Sequence, residues 1–350
     1  MKKTPNILGY LITHAIAYLL IVPLAWSEAS GVNPSDNTST GLERELFESY
    51  LPRAESGDAE AQAIVAGMYF NGSGVAKDCN KWIEYLELAS AQGHRSSMAN
   101  LSHAVEKGDC VTQNISRALE LRRQAAEMGE IRSLRNLAQL HLYGKYVEKS
   151  YVQTEKYFKR AASLGDDKSA LQLANLYSKG EFEPSDQKDA NFYYLLAADL
   201  GNSKAQHHVA AAFDSGDSGL EANSDLAVKY YELAAKQGVR KVNARLAWFY
   251  LGGKGFPKNY SRAAELLEEC AEENDSYCQA NLGLLNFRGA FEKADNLKGY
   301  KWLLIAQQNG FNGVSATIDK LKPKLPEQVV AEGEELAKAW LRERNKNKLR

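Results

Sequence analysis

The chain has 350 residues, 44% hydrophobic and 25% charged, the composition of a soluble folded protein with ample material for a core. Its 43 basic and 44 acidic residues leave a formal charge of -1, so no broad basic field exists to gather nucleic acid, and nucleic-acid binding is set aside on that ground. The four cysteines are even in number and lack the paired CxxC spacing of zinc sites.

The chain opens "MKKTPNILGYLITHAIAYLLIVPLAWSEAS". Lys2 and Lys3 make a basic n-region and Ile7 to Val22 an apolar h-region, while Ala25 and Ser27 are small residues placed for a cut before Glu28. Residues 1–27 are therefore expected to be a secretory signal peptide, with an uncleaved anchor helix as the alternative. The "MKK" start suggests a bacterial route, to the periplasm or beyond, and no stable membrane span is expected after cleavage. Residues 28–41, "EASGVNPSDNTSTG", read as a disordered linker, and 42–57 as an N-terminal capping helix. An exported chain matures where disulfides form.

From there the sequence repeats. Segments close on Gly93, Gly129, Gly165, Gly201, Gly238 and Gly310, each four residues after an alanine, and "CAEEN" ending at Asn274 fills the remaining slot. The steps are 36, 36, 36, 37, 36 and 36 residues, which implies stacked supersecondary units. An aliphatic column (Val65, Leu101, Leu137, Leu173, Val209, Leu246, Leu282) stands beside a small one, and a second glycine recurs seven residues after the aliphatic one. Each unit thus reads as helix, glycine turn, helix, glycine. The longer step places its extra residue in the turn after Gly216. In the second helices, Tyr85, Leu121, Tyr157, Tyr193, Tyr230, Leu266 and Trp302 precede a small residue by four, the spacing of interlocking helices.

The repeats span 58–310, and 311–350 reads as C-terminal capping helices with a basic tail, Leu336, Ala339 and Trp340 covering the end of the stack. The expected fold is all-α, a right-handed superhelical solenoid of about seven helix-turn-helix repeats between caps.

The segment "AEAQAIVAGMYFNGSGVAKDCNKWIEYLELASAQGH" (59–94), with its aliphatic-small pair, Tyr69, "NGSGV" and the closing A-x-x-x-G, resembles the Sel-one-like repeat, a relative of the tetratricopeptide repeat. The second to fifth and seventh copies lack the second turn glycine, which leaves their turn conformations open. The resemblance implies an adaptor for other proteins. Cys270 lies in the small column of one second helix and Cys278 one turn into the next first helix, so both thiols can face each other. The spacing also resembles the cysteine-rich secreted branch of the family, where such pairs are disulfides. Zinc wants four close ligands and redox catalysis favours CxxC, so a staple is the preferred reading. Cys79 and Cys110, in the turns of adjacent repeats, are expected to form a second bridge, with free thiols as the alternative.

The same branch is linked with β-lactam binding and hydrolysis, so a weak β-lactam- or peptidoglycan-directed hydrolase is the alternative function. "SDQK" (Ser185 to Lys188) matches S-x-x-K but sits in a turn with nothing to lower the lysine pKa; "SDN" (Ser35 to Asn37) falls in the linker, and K-T-G is missing. "GGKG" (252–255) lacks the full phosphate-loop spacing. No catalytic residue, cofactor or metal is therefore expected. Binding is expected on the inner, concave side of the first helices, where Arg132, Lys168, Lys204 and Lys241 form a row beside Arg135, Tyr143, His207, Trp248 and Phe287. Such a row suits an acidic protein or peptide, or an envelope polymer, with Trp248 and Phe287 as apolar anchors on a monomeric scaffold.

Overall fold

The computed structural model describes residues 37–182, 187–217, 219–252, 258–289 and 294–347. Among the described residues there are seventeen α-helices, three 3-10 turns and no strand. The expected signal peptide lies outside the described residues, as does the linker up to residue 36. Residues 37–41, read as linker, instead begin the first helix, α1 (Asn37–Glu55).

The repeats alternate first helices α2 (Ala59–Asn71), α4 (Arg95–Lys107), α6 (Ile131–Tyr143), α8 (Asp167–Ser178), α10 (Ser203–Ser215), α12 (Asn243–Gly252) and α14 (Ser276–Arg288) with second helices α3 (Cys79–Ala91), α5 (Ile115–Glu127), α7 (Tyr151–Ser163), α9 (Gln187–Asp199), α11 (Ser224–Lys236), α13 (Tyr260–Glu272) and α15 (Asn296–Gln308). Helices α16 (Ser315–Leu321) and α17 (Glu327–Asn347) follow. The turn between α10 and α12's preceding partner α11 runs Gly216–Asn223, one residue longer than Gly72–Asp78, where the longer step put its extra residue.

Polar punctuation starts these helices. Asp78, Asn114, Ser150, Asn223, Asn259 and Asp295 cap the second helices by accepting from N–H groups of the first turn, each worth about 1 kcal/mol. Every second helix of the repeats ends the same way: the carbonyl of the small column accepts the N–H five residues on, as in His94 to Ala89 (3.0 Å), Asp275 to Cys270 (3.1 Å) and Phe311 to Ala306 (2.9 Å). The residue before each donor is left-handed, and Asn274, at φ 72°, takes that conformation where the other repeats have glycine.

Two of the turns that lack a second glycine, in the second and third repeats, keep the left-handed backbone of the first. Gly74 and Gly219 are left-handed, and so are Cys110 and Tyr146 (both φ 61°), despite their β-carbons. That conformation costs an ordinary residue about 1 kcal/mol, which the surrounding turn bears. At Gly74 no β-carbon fits at all: it would land on the backbone carbonyl of Glu43 in α1.

The chain divides into two compact units, up to Ser169 and from Ala170. In the first, α1 lays Phe47, Tyr50 and Ala54 against Ile64, Val65, Met68, Trp82, Tyr85 and Leu86. A disulfide joins Cys79 to Cys110 (Cα–Cα 5.5 Å), and a buried ion pair joins Arg122 to Glu106 at 2.7 Å. Burial pushes the Glu106 carboxyl up, but the Arg122 bond and charge, with Lys145 3.8 Å away, leave it below the usual range.

In the second unit, Cys270 and Cys278 are bonded (Cα–Cα 5.9 Å). Helices α14 and α15 meet where a β-carbon on Gly283 would stand 3.0 Å from the Gly299 carbonyl. The cap differs in phase from expectation: Leu336 and Ala339 face solvent, while Gly333, Ala337 and Trp340 face the repeats. Gly333 sits so close over Tyr300 that a β-carbon would come within 2.8 Å of its ring. Trp340 and Arg344 both donate to Glu272 of α13, at 3.1 and 2.8 Å, and Trp340 meets Trp302 edge-on.

One pair of positions changes character from repeat to repeat. Gln62, Gln206 and Gln279 are buried in first helices and donate to the carbonyls of Ala54, Ala198 and Ala271. Each also accepts from the residue ending its own second helix: Gln92 (2.8 Å), Gln237 (2.8 Å) and Asn309 (2.9 Å). The same two positions hold Met98 with Met128, Leu134 with Leu164, and Ala170 with Leu200 in the repeats between.

Two predictions follow from buried polar groups. Gln206→Leu removes one of two donors to the Ala198 carbonyl and one of two acceptors of the Gln237 amide, the Gly201 N–H and carbonyl keeping the others, and should cost about 1 kcal/mol in denaturant unfolding; Gln206→Leu with Gln237→Leu should cost less than the sum of the two single changes, and an additive double mutant would contradict the pairing. Arg122→Met leaves Glu106 charged and buried, a loss of about 3 kcal/mol at neutral pH. Because folded Glu106 titrates below its ordinary range, the pair stabilises above that range and fades as pH falls through the folded value. The gap between wild type and Arg122→Met should therefore close in acid; a gap independent of pH would refute the assignment.

Candidate functional site

On each first helix the buried stripe faces the partners, leaving an open face at the second residue and then four, seven and eleven further on. In the first unit this face carries Asn100 and His103 on α4, then Arg132, Asn136, Gln139 and Tyr143 on α6. In the second it carries Lys204 and His208 on α10, Lys241, Arg245 and Trp248 at α12, and Tyr277, Asn281 and Arg288 on α14.

The residues expected to bind divide by what holds them. Lys168 in the first unit, and Lys204 and Lys241 in the second, are exposed, and no carboxylate among the described residues pairs with them. Tyr143 is 76% exposed. Arg132 is half-buried and donates to Asn100 at 3.0 Å. Arg135 is turned away from the open face: it pairs with Asp166 at 2.6 Å, whose other oxygen accepts from the Ser169 amide that starts α8. His207 lies between the open face and Tyr231, 6.4 Å from that ring. Burial lowers its pKa, and the charge of Lys241 lowers it further, so the imidazole is neutral at pH 7. His208, on the open face, stacks on Tyr194 at 3.8 Å. Phe287 is not an exposed anchor: it packs into the core with Tyr300 and Leu303, and Gly299 leaves room for its ring. Trp248 is half-buried beneath Arg245, whose guanidinium carbon is 4.3 Å from the ring centre.

Arg245 and Asp214 were not among the expected residues. Asp214 of α10 accepts from Arg245 Nε and from Nη2 (2.6 Å), and from the Tyr231 hydroxyl at 3.3 Å. The carboxylate raises the pKa of Arg245, while burial and Asp214 together push the Tyr231 phenol up, so neither group changes protonation near neutrality. The pattern Lys241, Arg245, Trp248 at i, i+4, i+7 was visible in the sequence; the partner 31 residues back was not.

Among the described residues of the open face no nucleophile stands beside a base; on α4, Ser97 Oγ meets His94 Nδ1 at 2.8 Å, but Ser97 is buried and closed to a substrate. Ser185, from the S-x-x-K match, lies outside the described residues, and so do residues 253–255 of the "GGKG" stretch; Lys188 is in the first turn of α9. A cavity of about 530 Å³ in the second unit is lined by Leu251, Tyr260, Asn281, Leu284, Leu285 and Arg288. Among the described residues no three His, Cys, Asp or Glu side chains are grouped to hold a metal.

No curated protein matches the chain. Among solved structures it is similar to a Sel1 repeat protein from Oxalobacter formigenes, 23% identical over 67% of this chain and 96% of that one, with a TM-score of 0.55. It is also similar to a protective antigen of uropathogenic Escherichia coli with an SLR fold (22% identity, 85% and 79% coverage, TM-score 0.37). An immunity protein of Pseudomonas aeruginosa also matches (19% identity, 67% and 84% coverage, TM-score 0.41). The Oxalobacter match carries the shared architecture. The Sel1 repeat model matches residues 59–94, 95–130, 131–166, 167–202, 203–239, 241–275 and 276–311. With seven copies in helix-turn-helix register and two disulfides of the kind found in its cysteine-rich branch, the chain belongs to the Sel1 repeat family, as a repeat scaffold for protein interaction.

Proposed function

We propose that the protein is an exported, non-catalytic scaffold that binds an acidic protein or peptide through the open face of its first helices. The observation that carries this reading is the recurrence of Lys204 and Lys241 at one register of the second unit, exposed and, among the described residues, without an ion-pair partner, in a chain whose net charge is -1. A cation near a helix start is disfavoured by the helix dipole, so two in register on one unit suggest a partner that supplies the missing negative charge. Tyr277, in the same unit, adds exposed aromatic surface of the kind that anchors interfaces.

Two observations support export. The n-region, h-region and Ala25/Ser27 pattern is that of a cleaved leader, and both pairs of cysteines are bonded, as an oxidising compartment favours. Among the described residues no helix is long and apolar enough to cross a membrane. The scaffold is proposed to act as a periplasmic or secreted monomer.

Two measurements test this. N-terminal sequencing of the exported protein should begin near Glu28; an intact Met1 chain recovered from the cytoplasm would count against export. Lys204→Glu with Lys241→Glu should fold like wild type yet lose an acidic partner that wild type retains from its own cell envelope in low salt. Equal retention by both would place binding elsewhere on the molecule.

A further inference from the structure

This inference rests on the acidic-partner reading and concerns the face built by α10 and α12. Arg245 is held on one edge and one face. Asp214 takes Nε and Nη2, with Nη2 at 2.6 Å, and the rings of Trp248 and Phe249 lie 4.3 and 5.4 Å from the guanidinium carbon. Nη1 donates to nothing among the described residues, and the side chain remains 45% exposed. The Asp214 side chain is only 10% exposed, so its negative charge is covered by the arginine it holds. Lys204 and Lys241 stand exposed on the same face, and His207 between them is neutral.

A guanidinium is a planar donor set with more than one bidentate edge, and carboxylates match that geometry. Here the inner edge is spent on Asp214, and the outer edge points to solvent in an orientation set before any ligand arrives. Fixing a long side chain in advance removes much of the entropy cost of using it. Its flanking cations carry no carboxylate of their own among the described residues. We propose that the outer edge of Arg245 binds a side-chain carboxylate of an acidic peptide segment lying across α10 and α12, with Lys204 and Lys241 receiving neighbouring acidic residues of the same segment. Asp214 acts as the positioning residue that keeps the fork in place.

The test is fluorescence anisotropy of the full chain with labelled deca-glutamate at low ionic strength, with far-UV circular dichroism as the folding control. Arg245→Lys keeps the charge and loses the fork, and should weaken binding about tenfold. Asp214→Asn removes a negative charge from the face; a purely electrostatic field would then bind deca-glutamate more tightly, whereas a positioned guanidinium binds it more weakly. Weaker binding by both variants supports the proposal. Unchanged binding by Arg245→Lys, or tighter binding by Asp214→Asn, overturns it. If in that case Lys204→Glu with Lys241→Glu still abolishes binding, the lysine row stands without the anchor; if the wild-type chain ignores deca-glutamate altogether, both readings fall. Dextran sulfate serves as the comparison: a preference for it that depends on Arg245 would assign the site to an anionic polymer and overturn the peptide.

Discussion

The repeats hinge on one residue that serves two helices at once. Its N–H bonds back to the small-column carbonyl five residues earlier and closes a second helix; its side chain then caps the first helix of the next repeat. His94, Glu130, Asp166 and Asp275 all work this way. Because both bonds meet in one residue, the exit of one helix and the entry of the next are set together, and the period stays near 36. Two exceptions show what the side chain contributes. Val239 and Phe311 make the backbone bond but have no acceptor to offer, and in both places the next helix begins as a 3-10 turn, Arg240–Val242 and Asn312–Val314. Without a capping oxygen the first turn tightens to satisfy its own N–H groups.

Much of this was legible in the sequence because it is written in residue types that have few alternatives. Glycine, or Asn274 in its stead, marks a left-handed residue; alanine or Cys270 four before it marks a close helix contact. The turns of Cys110 and Tyr146 were not legible, since neither residue is chosen for positive φ; the repeat around them imposes it. The cap was misread for the opposite reason. Leu336 looks like a core residue and Gly333 does not, but the close approach to Tyr300 needs the absence of a side chain, and that sets the phase of α17. On the candidate face, Lys168, Lys204, Lys241 and Tyr143 are exposed, as residues in the middle of an unpacked helix stripe are. It misplaced Arg135 and Phe287, one position off that face, because a residue at the margin of a stripe goes wherever a neighbour accepts it: Asp166 for the arginine, the space at Gly299 for the phenyl ring.

The exchange between glutamine pairs and apolar pairs explains how the repeats tolerate differing cores at constant geometry. A buried amide is acceptable only while each of its groups is matched, so the two positions are polar together or apolar together. The sixth repeat keeps both positions polar but leaves one group unmatched. Asn243 occupies the glutamine position, but its expected partner is Glu273, a carboxylate with no hydrogen to give. Glu273 turns to Arg240 at 2.8 Å instead, and Asn243 Oδ1 is left buried without a donor. This mismatch falls in the repeat that also lacks a capping side chain at Val239, so two local rules fail within a few residues of each other.

That same repeat supplies Lys241, Arg245 and Trp248. Packing rules and surface chemistry therefore diverge most where the open face is richest in cations and aromatic rings. Natural chains give up local consistency chiefly where another demand is placed on the residues. The 3-10 turn at Arg240–Val242 carries Lys241 on a segment that a capped helix would have started differently, and Arg245 follows one turn on, braced by Asp214 from the repeat before. Binding chemistry on such a scaffold need not come from an added loop or domain. A few substitutions at the hinge and along one helix face suffice, because the backbone bond to the small column keeps the repeat in register while the side chains beside it change.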